Sequence, residues 1–271
     1  MKTVLRMMHA LCFFLPILFL ATGCQEAVPA FHNAFDQKDT IPPSLVSSRM
    51  ISPASVELVF SEKVDGASAR VSLDGHPASI IQKNEWTLEA VTGESVPGGH
   101  KALVEMMVQD TSWNSSWAQV PVWGYNPNPA GLIINEFTTK GTEKQPDRVE
   151  LYVYAGGSLA GITLSDGHDG DWADRCILPD LTVEAGIYLV ISFQPPFTAA
   201  SQEEDYEALS FLSENQKGLA SANGILILAA SPEPRASIID CAVYASHTKS
   251  AHGFGSENLY RQVQALVQEG A

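Results

Sequence analysis

Apolar and polar residues alternate in short segments through most of the chain beyond about residue 40. In VELVFSEKV, the residues Val56, Leu58 and Phe60 fall on one face, which is the period of a half-buried β-strand. Comparable segments follow at close spacing, and turn residues such as Asp74-Gly75 separate them. About seven short strands with this spacing predict an antiparallel β-sandwich over residues 41–127.

A second block of strand-like segments begins after the linker YNPNPAG, residues 125–131. Its segments GLIINEF, DRVELYVYAGG, LTVEAGIYLVIS and GILILAA are rich in Ile, Val, Leu and Tyr. The more polar residues 202–216 predict one short helix or a loop. The final residues QVQALVQEGA show helical spacing but are too few to hold a helix alone. The fold class predicted is all-β, with two tandem Ig-like β-sandwich domains after a signal peptide and a tether.

The N-terminal segment has the features of an export signal. Lys2 and Arg6 precede an apolar run, residues 11–21, which is shorter than the ~20 residues of a membrane-spanning helix. The following Ala21-Thr22-Gly23-Cys24 resembles the bacterial lipoprotein lipobox. That resemblance implies a signal peptide over residues 1–23, acyl chains such as palmitate on Cys24, and a tether over residues 24–40. It also implies a place in the bacterial cell envelope, and Gln25 favours the outer membrane. The alternative is an ordinary signal peptide with an incidental cysteine.

Charge and cysteine content narrow the choice of partners and of cross-links. The chain has 16 Lys and Arg against 31 Asp and Glu, a net charge of -15, without a basic cluster. Binding to nucleic acid through phosphate neutralisation is therefore not expected. Cys176 and Cys241 would remain after export, and a disulfide between them would contribute ~4 kcal/mol in the chain-entropy model. Two buried free cysteines are the alternative.

The first block resembles the Ig-like domains of bacterial surface proteins. The resemblance rests on Pro42-Pro43, on the strand VELVFSEKVD at 56–65, and on VQDTSWN at 108–114. It departs at Trp113, where the family usually has glycine. It implies a spacer or adhesion role for residues 41–127.

The second block, residues 130–262, resembles the lamin tail domain, an Ig-like sandwich that is not catalytic by itself. The segments that carry the resemblance are IINE at 133–136, DRVELY at 147–152, LAGITLSD at 159–166, EAGIYLV at 184–190, IDCAVY at 239–244 and SENLYR at 256–261. The sequence departs from the family at Val153, usually asparagine, and in a longer loop near 195–216.

One loop in the second block is rich in carboxylates. The segment DGHDGDWADR contains four aspartates, Asp166, Asp169, Asp171 and Asp174. Oxygen-rich loops of this kind suit Ca²⁺, but the EF-hand spacing is absent. The two interpretations are a weak calcium site and a solvated turn.

Other candidate groups are less specific. Glu136 and Glu150 could act as paired carboxylates, or with Asn135 as a polar network between strands. Trp113, Trp117 and Trp123 could stack on sugars, although core packing is commoner for tryptophan in a sandwich. No H-E-x-x-H, C-x-x-C or G-x-S-x-G motif is present.

The sequence therefore predicts a non-enzymatic, lipid-anchored envelope protein without a required cofactor. Its acyl chains would hold it to a membrane, and its second domain would bind an envelope or surface protein or a glycan. Two alternatives remain open. The first is an accessory subunit of an envelope hydrolase or nuclease, and the second is a cation-dependent glycan-binding module.

Overall fold

The computed structural model describes residues 39–142, 145–168, 170, 172–194, 209–234, 236–246 and 252–270. The predicted signal peptide, Cys24 and nearly all of the predicted tether lie outside these residues. The described part contains eighteen strands and one helix, so the all-β prediction is confirmed. No helix in this part is long and apolar enough to span a membrane.

The first domain is a sandwich of two four-stranded sheets. Its strands are β1 (Leu45–Ser52), β2 (Ser55–Phe60), β3 (Val64–Leu73), β4 (His76–Pro77), β5 (Ser79–Asn84), β6 (Thr87–Val91), β7 (Lys101–Asp110) and β8 (Ser115–Trp123). One sheet has the order β1-β2-β6-β5 and the other the order β4-β3-β7-β8. The alternating residues of β2, Val56, Leu58 and Phe60, are buried with Leu88 and Met106 in the core that both sheets share. The period-2 pattern thus identified the core face of this strand correctly.

The second domain has a separate core. Its strands are β9 (Gly131–Thr138), β10 (Arg148–Ala155), β11 (Gly157–Ser158), β12 (Thr163–Asp166), β13 (Arg175–Ile177), β14 (Thr182–Val183), β15 (Tyr188–Ser192), β16 (Leu209–Leu212), β17 (Asn223–Ala229) and β18 (Ile238–Ala245). The sheets β16-β15-β10-β9 and β13-β12-β17-β18 enclose Leu151, Leu164, Ile191 and Phe193, and β11 pairs with β14.

Within the stretch predicted as a helix or a loop, residues 202–216, Leu209–Leu212 instead forms β16. This strand pairs in parallel with β15, so Leu189 lies beside Leu209. A parallel partner is distant along the chain, and a local pattern cannot show it.

The helix α1 (Glu257–Glu269) covers the outer face of the β13-β12-β17-β18 sheet. The Ser256 side chain caps its N-terminus by accepting a hydrogen bond from the Leu259 backbone N–H at 3.1 Å, and Gly270 ends it in the left-handed region. Its apolar residues, including Val263 and Leu266, pack on the β17 residue Ile227 and its neighbours. Tertiary packing therefore supplies the stability that a terminal helix lacks in isolation.

The predicted disulfide does not form, because the fold keeps its two cysteines apart. Both are free thiols, Cys176 on β13 and Cys241 on β18, the opposite edges of one sheet. Three strand spacings of ~4.8 Å put their Cα atoms ~14 Å apart, twice the ~7 Å limit for a bridge. They also face opposite sides, since Cys176 belongs to the main core and Cys241 to the cluster under α1.

The two domains meet through small residues and a few hydrogen bonds. Gly99 lies against Gly161, where an added Cβ on Gly99 would come within 2.8 Å of the Gly161 Cα. Asn126 Nδ2 donates to the backbone oxygens of Ser158 and Ala160, both at 3.0 Å. These contacts fix the second domain at the end of the first where β7 begins and β8 ends.

The first described residues, beginning at Asp39, lie at the opposite end of the first domain. There, Asn114 Nδ2, in the turn between β7 and β8, donates to the backbone oxygens of Asp39 at 3.1 Å and Ile41 at 3.4 Å. We call this end the N-terminal pole, defined by residues 39–44 and 110–115. It lies one strand length, ~30 Å for β7, from the contact with the second domain.

Candidate functional site

The loops farthest from the first domain are grouped at one end of the second. The strands β9, β12 and β15 run away from the domain contact, and β17 and β18 have their Asn223 and Ala245 ends there as well. The connections 139–147, 167–174, 213–222 and 246–256 therefore share this end. We call them the tip loops; the structure describes all of their residues except 143, 144, 169, 171 and 247–251.

A buried carboxylate, Asp174, organises two of the tip loops. Its Oδ1 accepts hydrogen bonds from the backbone N–H groups of Arg175 at 2.9 Å and Asn215 at 2.8 Å. Its Oδ2 accepts from the Ser213 hydroxyl at 2.7 Å and from the Lys217 backbone N–H at 3.1 Å. A fully buried carboxylate would be costly without such donors. Asp174 is thus an anchor for the loop 213–217.

Asp147 anchors loops on the other side of the tip. It is buried, and its two carboxylate oxygens accept the backbone N–H groups of Gly141 at 2.6 Å and Leu219 at 2.8 Å. The sequence marked Asp147 only as the first residue of the DRVELY segment, and its buried role was missed. A buried carboxylate in front of a strand that also accepts loop N–H groups has no local sequence signal.

Two titratable side chains near these anchors, Asp166 and Tyr244, have raised pKa values. Burial raises the pKa of Asp166 to about 6, and the charge of Asp174 adds to the shift against the hydrogen bonds that Asp166 accepts. Those bonds include the backbone N–H of Asp174. Burial, followed by the charges of Asp166 and Asp147, raises the pKa of Tyr244 to about 12. The Tyr244 hydroxyl donates to the Ala220 backbone oxygen at 2.9 Å.

The predicted calcium loop is only partly described. Asp169 and Asp171 lie outside the described residues, so the four aspartates cannot be placed together. Asp166 and Asp174 lie at the two ends of the loop, and each accepts hydrogen bonds from backbone N–H groups. Asp174 is buried rather than solvated, which differs from the simple-turn interpretation. Calcium binding by this loop stays a prediction.

Within the described ranges, one other group of carboxylates could share a cation. Asp39, Glu62 and Asp110 offer oxygens within 4.8 Å of one another at the N-terminal pole. Desolvation, then the charge and hydrogen bonding of Asp39, raise the pKa of Glu62. Asp110 accepts Ser112 N–H at 2.7 Å on Oδ1 and Asn114 Nδ2 at 2.7 Å on Oδ2. The turn itself therefore accounts for the position of Asp110.

The paired glutamates of the sequence prediction are adjacent across β9 and β10. Glu136 is the cross-strand partner of Glu150, and Asn135 Nδ2 donates to Glu150 Oε1 at 2.6 Å. This arrangement is the polar network between strands that the sequence offered as the alternative to acid–base chemistry.

Two of the three tryptophans do not pack in the core. Trp113 is 78% exposed and has a φ of 71°, a left-handed conformation that explains why the resembling domains use glycine there. Trp117 is 67% exposed on the outer face of the sheet. Trp123 is partly buried at the domain contact, where its backbone N–H donates to Glu233 Oε1 at 3.4 Å. The core-packing interpretation is therefore wrong for Trp113 and Trp117.

Comparison with known proteins gives one family match. Residues 130–271 match the model of a family described as TP_1001 protein second domain. No curated protein sequence matches this chain.

Some solved structures are similar at low identity. The S-layer protein rSbsC(31-844) is 14% identical over 63% of this chain and 34% of that chain, with a TM-score of 0.29. Domains 1-6 of surface layer protein SbsC are 11% identical over 83% of this chain and 42% of that one, with a TM-score of 0.29. A DUF4785 family protein from Legionella pneumophila is 9% identical over 75% of this chain and 56% of that one, with a TM-score of 0.24. This chain thus spans about a third of one S-layer chain and about two fifths of the other.

Proposed function

This chain belongs to the TP_1001 second-domain family, and we propose that it is a non-catalytic, lipid-anchored protein of a bacterial cell envelope. In this proposal the first domain is a spacer, and the tip loops of the second domain bind an envelope or surface protein or a glycan. Acyl chains on Cys24 supply the membrane anchor, with the outer membrane as the expected location.

The observation that carries the proposal is the placement of the two ends. The chain comes in at the N-terminal pole, where Asn114 holds Asp39 and Ile41. The tip loops lie beyond the far end of the first domain, so at least ~30 Å of folded protein separates them from the anchor side. A spacer that joins its neighbours at opposite ends suits display of those loops away from a membrane.

The construction of the tip supports a binding role. Asp174 and Asp147 hold the loops through buried hydrogen bonds to backbone N–H groups, which limits loop motion before any partner arrives. Loops that a rigid scaffold holds in place lose less conformational freedom on binding. The same hydrogen bonds support a non-catalytic function, because they engage the carboxylate oxygens that acid–base chemistry would need.

The anchor is tested by intact mass and detergent partitioning of the native protein beside a Cys24→Ala variant. We expect cleavage before Cys24, added acyl mass, and partitioning into detergent for the native protein alone. An unmodified, freely soluble mature chain would remove the anchor and with it the display model.

The tip is tested by cross-linking the anchored protein to intact envelopes. Substitutions at exposed tip positions should lower partner recovery, whereas Ile81→Ala, an exposed change in the first domain, should not. Recovery of one enzyme as the sole partner would favour the accessory-subunit alternative. Loss of the partner with a chelator and with Asp169→Asn would favour the cation-dependent alternative.

A further inference from the structure

The outer face of the β4-β3-β7-β8 sheet carries two adjacent rows of side chains that differ in chemistry. The pairing of β3, β7 and β8 puts Arg70, Met107 and Trp117 in one row. The next row, one pleat away, contains Ser72, Glu105 and Gln119. From this juxtaposition we propose that the face binds a β-linked, gluco-configured polysaccharide, with Trp117 as the stacking platform.

The first row supplies an apolar surface of limited size. Trp117 is 67% exposed and its neighbour Met107 is 47% exposed, although both lie within regular strands. Large apolar side chains that stay exposed together are informative because folding normally covers them. A flat indole with a methionine beside it matches the C–H face of one or two pyranose rings. β-Linked gluco-configured sugars present such faces because their ring hydroxyls are equatorial.

The second row supplies hydrogen-bonding groups that are already oriented. Gln119 Nε2 donates to Glu105 Oε1 at 2.9 Å, and Ser72 Oγ donates to Glu105 Oε2 at 3.4 Å. The Glu105 carboxylate thereby holds its two neighbours in place across three strands. The Gln119 carbonyl oxygen and the remaining lone pairs of the row face the same side and can meet sugar hydroxyls.

Arg70 closes the site on the β3 side. Its Nη1 donates to the backbone oxygens of Ala67 at 3.2 Å and Ala69 at 2.8 Å, which fixes the guanidinium at the β3 end of the first row. Arg70 and Glu105 have opposite charges in adjacent rows, so the face is close to neutral locally. A neutral ligand that both donates and accepts hydrogen bonds fits this balance better than a polyanion, which the net charge of -15 would also repel.

Five of the six residues in the two rows, all except Gln119, border one groove. Its volume is about 590 Å³, and its other walls include Gly66, Ala78 and Ile80. That volume falls within the ~300–1,000 Å³ range of small-ligand sites.

The test uses the mature full-length protein in detergent, titrated with cellohexaose and with the N-acetylglucosamine hexamer while tryptophan fluorescence and heat are followed. We expect saturable binding of at least one of them, with a Kd of about 0.1–1 mM. Trp117→Ala should weaken it at least about tenfold, or ~1.4 kcal/mol. Gln119→Ala should weaken it by a smaller factor. The two sugars separate glucan from aminoglycan sources of the same chemistry.

The matched control is Trp113→Ala. Trp113 is more exposed than Trp117 but lies in the turn after β7, outside both rows. It should leave the affinity unchanged, and unchanged thermal unfolding of Trp117→Ala would show that the variant is folded. Absence of binding to either hexamer, or equal loss in both tryptophan variants, would overturn the proposal. Neither outcome bears on the tip loops, so the display model is tested separately.

Discussion

The contact between the two domains can be tested with the substitution Gly99→Ala, which adds one methyl group there. Gly99 has a φ of 69°, and its added Cβ would come within 2.8 Å of the Gly161 Cα, which is backbone. The Gly161 backbone N would lie closer still, and ordinary contact begins at 3.4 Å, so relief requires the domains to separate by more than about 0.6 Å. The two 3.0 Å hydrogen bonds from Asn126 Nδ2 would then lengthen to more than about 3.6 Å, beyond hydrogen-bond range.

The expected loss of stability in Gly99→Ala has two parts, and a second variant measures one of them alone. A left-handed φ costs any residue with a Cβ ~1–2 kcal/mol, and the two lost hydrogen bonds cost about 1–3 kcal/mol of domain coupling. Gly75→Ala is the matched control, because Gly75 has a φ of 78° and no atom within 4 Å of its added Cβ. It should show the conformational cost alone.

The assays are small-angle X-ray scattering and chymotrypsin cleavage after Tyr125, which lies in the linker between the domains. Gly99→Ala should enlarge the maximum dimension and speed the cleavage, while Gly75→Ala should resemble the parent protein in both. Identical scattering and cleavage for the two variants would refute the reasoning, since a domain contact held by these backbone atoms has no other way to accommodate the methyl group.

Three further predictions concern the second domain. Asp174→Asn should lower the free energy of unfolding by about 3 kcal/mol in urea titrations, because an amide cannot accept on both sides, and a loss under about 1 kcal/mol would contradict its anchoring role. The folded protein raises the pKa of Asp166 to about 6, so it favours the protonated carboxyl group. The resulting contribution to the free energy of unfolding is fully present below the unfolded pKa near 4 and is lost as pH rises through about 6. Asp166→Asn should therefore raise the melting temperature at pH 7.5 by an amount equivalent to about 1–2 kcal/mol, after allowance for partial solvent screening, and leave it unchanged at pH 4; equal effects at both pH values would contradict this. Thiol titration without reductant should find both Cys176 and Cys241 in the denatured protein, and Cys241 reacting faster than Cys176 in the native one, because Cys241 is only partly buried; burial raises the pKa of both thiols, that of Cys176 to about 12. Absence of both thiols after denaturation would show that the disulfide forms.

The local sequence pattern was sufficient to predict which face of a strand such as β2 packs in the core. Val56, Leu58 and Phe60 are apolar at period 2, and all three are buried. The hydrophobic effect acts on each residue by its own side chain, so alternation identifies the inward face without knowledge of the partner strand.

Local pattern failed where the environment comes from distant residues. Trp117 lies beside Met107 on the outer face of the sheet, and no segment described in the structure covers this face. Asp174 is buried because residues 213–217, some forty positions later, donate to it. Such contacts depend on strand register and loop closure, which composition and spacing do not encode.

The positions of the two proposed binding surfaces have a consequence for the affinity each needs. Trp117 is the third residue of β8, close to the N-terminal pole, so an acyl anchor on Cys24 would hold it near the membrane. Anchoring confines the protein to a thin layer, where the effective concentration of an adjacent polysaccharide reaches about the millimolar range. A glycan affinity of only ~1 mM would then keep the groove occupied for much of the time. The tip loops, on the far side of the Gly99 contact, would remain free for a second partner. Weak binding by the isolated protein therefore agrees with the proposal, and the loss in Trp117→Ala relative to Trp113→Ala is the quantity that decides it.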